Sequence, residues 1–182
     1  MKPIEVLKEE HKAIKLMLTV IESICTRLES RVSVPPEHIE KILDFLKQFA
    51  DKCHHHKEEE ILFPEMEKAG IPKEGGPLGV MLQEHQIGRK YIRNMSEAFE
   101  RYKNDVKETS GIIENGRAYA ALLSQHINKE DNILYPMAER ALPESVMDSM
   151  TGEFEKVEEE IIGKGKHEQY HRLIKELKDI YL

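Results

Sequence analysis

An eleven-residue block that occurs twice constrains this chain more than any other feature. His54 to Pro64 reads HHHKEEEILFP and His126 to Pro136 reads HINKEDNILYP, with His, Lys, Glu, Ile, Leu and Pro at matching places. Glu59 against Asp131 and Phe63 against Tyr135 are like-for-like changes. A His and a Glu four residues later share one face of a helix, so each copy directs an imidazole and a carboxylate at the same point. Two copies predict two halves of one metal site.

The composition agrees with helices. Glu, Lys, Leu, Met and Ile dominate, Trp is absent, and Gly and Pro gather at a few places instead of recurring about every ten residues as in all-β chains. The class predicted is all-α. At 182 residues the chain predicts one unit able to bury a substantial core. A net charge of −7 without a run of Lys and Arg argues against nucleic acid or an anionic membrane as the main partner. The absence of a long apolar run or signal-like N-terminus predicts a cytoplasmic location. Cys25 and Cys53 form neither a disulfide framework nor a zinc pattern, and beside apolar helix positions they read as reduced, buried thiols. Nine histidines are many for such a chain, and their positions have to explain them.

Taken in order, the segment after Pro3 carries Leu7, His11, Ile14, Leu18, Ile21, Cys25 and Leu28 at alternating spacings of four and three, so His11 holds a core slot. Pro35 and Pro36 open a second helix whose stripe is Leu43, Leu46, Ala50, His54, Glu58 and Ile61. A connection from Ala69 to Pro77 follows, and a third helix repeats the first with Met81, His85, Gly88, Ile92, Met95, Phe99, Tyr102 and Val106. Its opening PLGVMLQEH mirrors PIEVLKEEH. The fourth, from about Gly111, aligns Ile112, Gly116, Tyr119, Leu123, His126, Glu130, Ile133 and Met137. Short connections make successive helices antiparallel, which predicts an up-down-up-down four-helix bundle over residues 1–142. Pro64 and Pro136 predict matched kinks beyond the site. Residues 143–182 have no counterpart in the repeat and predict additional C-terminal helices packed on the bundle, with Glu158 to Glu160 as a solvated face.

Burying two carboxylates without cations costs several kcal/mol each, and the stripes hold no Lys or Arg apart from the marginal Arg89. Metal accounts for them better. Imidazole and carboxylate without thiolate suit iron, manganese or zinc, and two pseudo-symmetric halves suit two ions with bridging carboxylates. A di-iron or mixed iron-manganese centre that takes a small exogenous ligand follows as the leading expectation.

The order His, His-x-x-x-Glu, His, His-x-x-x-Glu on four helices, with LFP and LYP after the pairs, resembles the hemerythrin-like (HHE cation-binding) family over roughly residues 3 to 141. By that resemblance His11, His54 and Glu58 would serve one iron and His85, His126 and Glu130 the other, with both glutamates and an oxo or hydroxo group as bridges. Oxygen carriers of the family place a second His four residues after the third-helix His, where this chain has Arg89. It therefore resembles the four-His, two-Glu branch, linked to iron or oxygen sensing and to handling of nitric oxide or peroxide, more than the carriers. A metal-dependent regulatory module, or an iron sensor or store without turnover, is the alternative.

Other positions carry lesser expectations. Gly88 predicts either a small-ligand pocket or close helix approach, and Tyr119 either a hydrogen-bond donor towards bound oxygen or an ordinary core Tyr. Arg89 either pairs with a carboxylate or points to solvent. His55 and His56 rotate off the inward face at regular helical pitch and read as solvated. His167 and His171 read as structural.

Overall fold

Proline opens three of the long helices, where its fixed φ suits the first turn and its missing N–H is one a helix start leaves unpaired anyway. In the computed structural model, which describes residues 1–182, α1 spans Pro3–Glu29 and α2 Pro36–Phe45. The second helix then continues as π-helical Leu46–His55 and Glu58–Leu62 into α3, Phe63–Lys68. The third is α4, Pro77–Asn104. The fourth runs from α5, Ser110–Lys129, through π-helical Glu130–Leu134 into α6, Tyr135–Ala141. No strand is present, and no helix is long and apolar enough to cross a membrane. The fold is an all-α bundle: α5 packs against α1 and α4, and α2 packs against α4.

The expected disturbances at Pro64 and Pro136 take the form of matched π turns just before them. Both prolines occupy the first turn of a new α segment, so the missing N–H falls where the helix changes pitch. The longer π stretch, Leu46–His55, has no counterpart in the other half, where α5 stays regular to Lys129.

The buried side chains divide into two apolar clusters, one holding Ile14, Ala50, Ile92 and Leu123 and the other Leu7, Ile61, Met81 and Leu134. On every long helix the His and Glu of the repeat fall between the two. Buried Leu, Ile and Phe side chains contribute roughly 1.5–3 kcal/mol each. Apolar packing on both sides thus holds a polar layer that would not assemble by itself.

Beyond Pro143, α7 (Glu144–Lys156), π-helical Val157–Gly163 and α8 (Lys166–Tyr181) extend both clusters. Met150, Phe154 and Val157 join one, and Tyr170, Ile174, Leu177 and Tyr181 join the other. Gly163 and Gly165 have φ of +105° and +80°, a region L side chains rarely adopt, and this sharp turn lays α8 along α1. Tyr170 anchors it by donating to Asp44 Oδ2 at 2.8 Å.

Candidate metal centre

All six residues singled out by the repeat meet in the polar layer. α1 supplies His11, the π-helical second helix His54 and Glu58, α4 His85, and the fourth helix His126 and Glu130. Glu58 and Glu130 are 0 % exposed, so water does not solvate either carboxylate. Their oxygens divide between the halves. Glu58 Oε1 is 3.7 Å from His54 Nε2 and its Oε2 3.4 Å from His85 Nε2. Glu130 Oε2 is 3.2 Å from His11 Nε2 and its Oε1 2.9 Å from His126 Nε2. The donor atoms fall into two groups that share Glu58: His11, His54, Glu58 and Glu130, and His55, Glu58, His85 and His126.

His55 belongs to this layer, against the expectation that it is solvated. It is buried and stacks on His85 with ring centroids 3.9 Å apart. The physical reason is helix pitch: π-helical Leu46–His55 has more residues per turn than an α-helix, so the position after His54 turns inward instead of away. His56, outside the stretch, remains only half-buried.

Each inward imidazole is fixed from behind by a carboxylate on its Nδ1. His11 pairs with Asp131 at 2.6 Å, His54 with Glu10 at 2.9 Å, His85 with Glu59 at 2.7 Å and His126 with Glu84 at 2.8 Å. His55 has Asp51 at 3.3 Å. An Nδ1–H bonded to a carboxylate leaves Nε2 as the lone-pair donor, the tautomer a metal-binding histidine needs. Cations complete this outer ring with the same two-fold pattern. Lys57 bonds Glu10 as Lys129 bonds Glu84, and Lys15 bonds Asp131 as Arg89 bonds Glu59. Arg89 also grips Asp51 at 2.7 Å, so it is a partner for two outer carboxylates and not a free surface charge.

Glu10, Glu84, Glu59, Asp131 and Lys57 escaped the inward stripes, yet the repeat contains their signal. Glu precedes His in both Glu10-His11 and Glu84-His85, and Lys precedes Glu in both Lys57-Glu58 and Lys129-Glu130. Lys57 is completely buried between Glu10 and Glu158, so Glu158 is not part of a merely solvated face. His167 Nε2 lies 3.7 Å from Glu10, and the His167 and His171 rings both rest on Phe49. Glu10, Glu158 and His167 also cluster, but the Lys57 ammonium already supplies the cation there.

Protonation shows what the layer demands. Burial would lower the imidazoles, but the hydrogen bond to Asp131 and the Glu130 carboxylate close by raise His11 to about 9, and Glu130, Glu58 and Glu59 hold His85 well above its ordinary value. Burial would raise Glu130, yet His126 and the neighbouring His11 imidazole hold it well below the usual carboxylate range. Burial and then the neighbouring charge of His85 push His55 well below the usual histidine value. Two buried carboxylates recruit positive charge, and a neutral His55 keeps its lone pair.

The donor set fits a pair of metal ions. Glu58 Oε2, both oxygens of Glu130 and His54 Nε2 are buried without a hydrogen-bond partner, an arrangement that is costly unless something else engages these atoms. Imidazole nitrogen and carboxylate oxygen suit iron, manganese or zinc. On the His11 side the Tyr135 hydroxyl donates to Glu58 Oε1 at 2.6 Å and lies 3.2 Å from His11 Nε2. Tyr119 is buried with its hydroxyl unpaired. A Cβ added to Gly88 would meet Leu123 and Tyr119 at 3.4 and 3.5 Å, ordinary contact, so these two side chains already fill the space beside it.

The family model for the hemerythrin HHE cation binding domain matches residues 2–138. An uncharacterised protein of Mycobacterium bovis is 24 % identical over 135 residues, 72 % of this chain and 51 % of that protein. An iron-sulfur cluster repair protein, YtfE, of Edwardsiella ictaluri is 31 % identical over 110 residues, 57 % of this chain and 48 % of that protein. The chain thus spans about half the length of these curated relatives. No solved structure matches it.

Proposed function

The chain belongs to the hemerythrin HHE cation-binding family, and on that premise we propose that it is a non-haem di-iron protein that binds and reduces a small oxidant, dioxygen, nitric oxide or peroxide. The observation that carries this reading is the set of imidazoles anchored by carboxylates at Nδ1 and converging around two carboxylates, three of whose four oxygens lack a hydrogen-bond partner. Iron there would supply electrons and open coordination positions. His11 and His54 would hold one ion and His55, His85 and His126 the other, with Glu58 shared by both donor groups and Glu130 facing His11 through one oxygen and His126 through the other. The apolar clusters on either side keep bulk water out, which strengthens every charge interaction in the layer. The iron-sulfur cluster repair relative supports a role in iron handling. Metal analysis together with repeated nitric oxide or peroxide challenge tests the proposal. Two irons per chain and consumption over many turnovers, abolished by His126→Ala, support it; less than half an equivalent of iron overturns it.

A metal-dependent regulatory module is the second reading, favoured by one contact. Lys57 joins Glu158 of the C-terminal segment to Glu10, which in turn holds His54. Metal removal should then expose residues beyond Pro143 to proteolysis, and an unchanged digestion pattern counts against this reading.

A further inference from the structure

The four carboxylates behind His11, His54, His85 and His126 obey the two-fold, but the inner layer departs from it at two places in the repeated block. His55 aligns with Ile127, and Phe63 aligns with Tyr135. The structure puts these departures on opposite sides. His55 adds an imidazole to the His85 and His126 side, where Phe63 stacks on His85 at 6.2 Å. Ile127, the match to His55, is buried and offers no donor, and on the His11 and His54 side Tyr135 stacks on His11 at 5.3 Å with a hydroxyl that Phe63 lacks. One side gains nitrogen from the second helix, and the other gains oxygen from the fourth.

We infer that Tyr135 is a ligand, binding as phenolate to the metal ion held by His11 and His54. The inference rests on the metal reading above and adds a residue to it. Two ligand atoms at neighbouring positions on an ion, with bonds of about 2.0–2.2 Å, lie about 2.8–3.1 Å apart when they subtend a right angle. The Tyr135 oxygen is 2.6 Å from Glu58 Oε1 and 3.2 Å from His11 Nε2, spacings that bracket this edge. Besides the carboxylate, the hydroxyl also stands within 3.2 Å of the metal-facing nitrogen of a histidine whose Nδ1 is already engaged by Asp131. The side chain is fully buried and its ring is pinned against His11, so the oxygen cannot swing away. When iron(III) binds, the phenol O–H bond breaks, the electron pair stays on oxygen and forms the iron–oxygen bond, and the proton leaves to solvent. Iron keeps its oxidation state.

Resonance Raman spectroscopy of the iron(III)-loaded full chain tests this, with iron content measured on the same samples. Excitation in the visible should enhance tyrosinate ring modes in the wild type and in Tyr119→Phe. These modes should vanish in Tyr135→Phe while two irons remain bound. Phe fits because the other copy of the block carries it at the same position. Wild-type protein with two irons and no tyrosinate modes overturns the ligand assignment and leaves the di-iron reading standing, as does a Tyr135→Phe spectrum identical to wild type. Failure of the wild type to take up iron overturns both. If Tyr135→Phe proves unstable, ring-deuterated tyrosine in Tyr119→Phe protein provides the second measurement: shifted modes support the assignment, and a spectrum without isotope shift overturns it.

Discussion

Glu10 lies 2.9 Å from Nδ1 of His54, a residue 44 positions away, and is held there by the buried ammonium of Lys57. Glu84 stands to His126 in the same way. Both contacts fix a tautomer with Nε2 facing the centre. They make the outer carboxylates part of the metal site although neither points into it.

Glu10→Gln and Glu84→Gln should therefore weaken metal binding by roughly 10–100-fold each, the range expected when the partner of a ligating histidine is changed. Competition with a chelator of known affinity measures this. Equal affinity for wild type and both variants would show that the imidazoles orient themselves without these carboxylates.

Lys57→Met should destabilise the fold by about 3–5 kcal/mol, because it leaves the Glu10 carboxylate buried without its cation. Glu158→Gln should cost about 1 kcal/mol or less, since that side chain is 32 % exposed and water screens it. Urea unfolding of the metal-free protein separates the two. A loss as small for Lys57→Met as for Glu158→Gln would contradict the burial argument.

The metal-free protein should lose stability in alkali. His11 is raised to about 9 and His85 is raised as well, so their contribution is complete below the unfolded value near 6.5 and disappears as pH climbs through the folded value. His55 is depressed and acts in the opposite sense: its contribution is present above about 6.5 and is lost as pH falls. Melting curves of the metal-free chain should peak near neutrality and fall by pH 10. A melting temperature that rises steadily from pH 6 to 10 would refute the sign assigned to His11.

Both thiols should resist modification in the folded state. Burial pushes Cys25 up to about 11 and Cys53 up to about 12, leaving almost no thiolate at neutral pH. Labelling with a disulfide reagent should wait for unfolding, and a fast phase in native buffer would disprove this.

Tyr119→Phe should be neutral or stabilising by about 1 kcal/mol, since it removes a buried hydroxyl that lacks a partner. A clear loss of stability in the metal-free protein would mean that the hydroxyl is satisfied in solution by a group such as a bound water.

The sequence by itself determined the helical class, the two-fold repeat and the convergence of His11, His54, Glu58, His85, His126 and Glu130. Helical spacing is a local property, and a stripe of fixed period with two embedded ionisable pairs can bury itself in few ways. His55 shows the limit of that reasoning. Its inward turn depends on a π stretch in one half only, and a regular pitch applied to the letters points it outward. Arg89 and Glu158 show a second limit, because their roles lie in contacts with Glu59, Asp51 and Lys57 across helices, at sequence separations of 30, 38 and 101. Tyr135 lies beyond the spacing altogether: as a letter it is a conservative match to Phe63, and only the packed bundle sets its hydroxyl between Glu58 and His11. Periodicity decides which face a residue takes. Pitch changes and pairing between distant helices, which arise only when the faces close, decide what that residue touches.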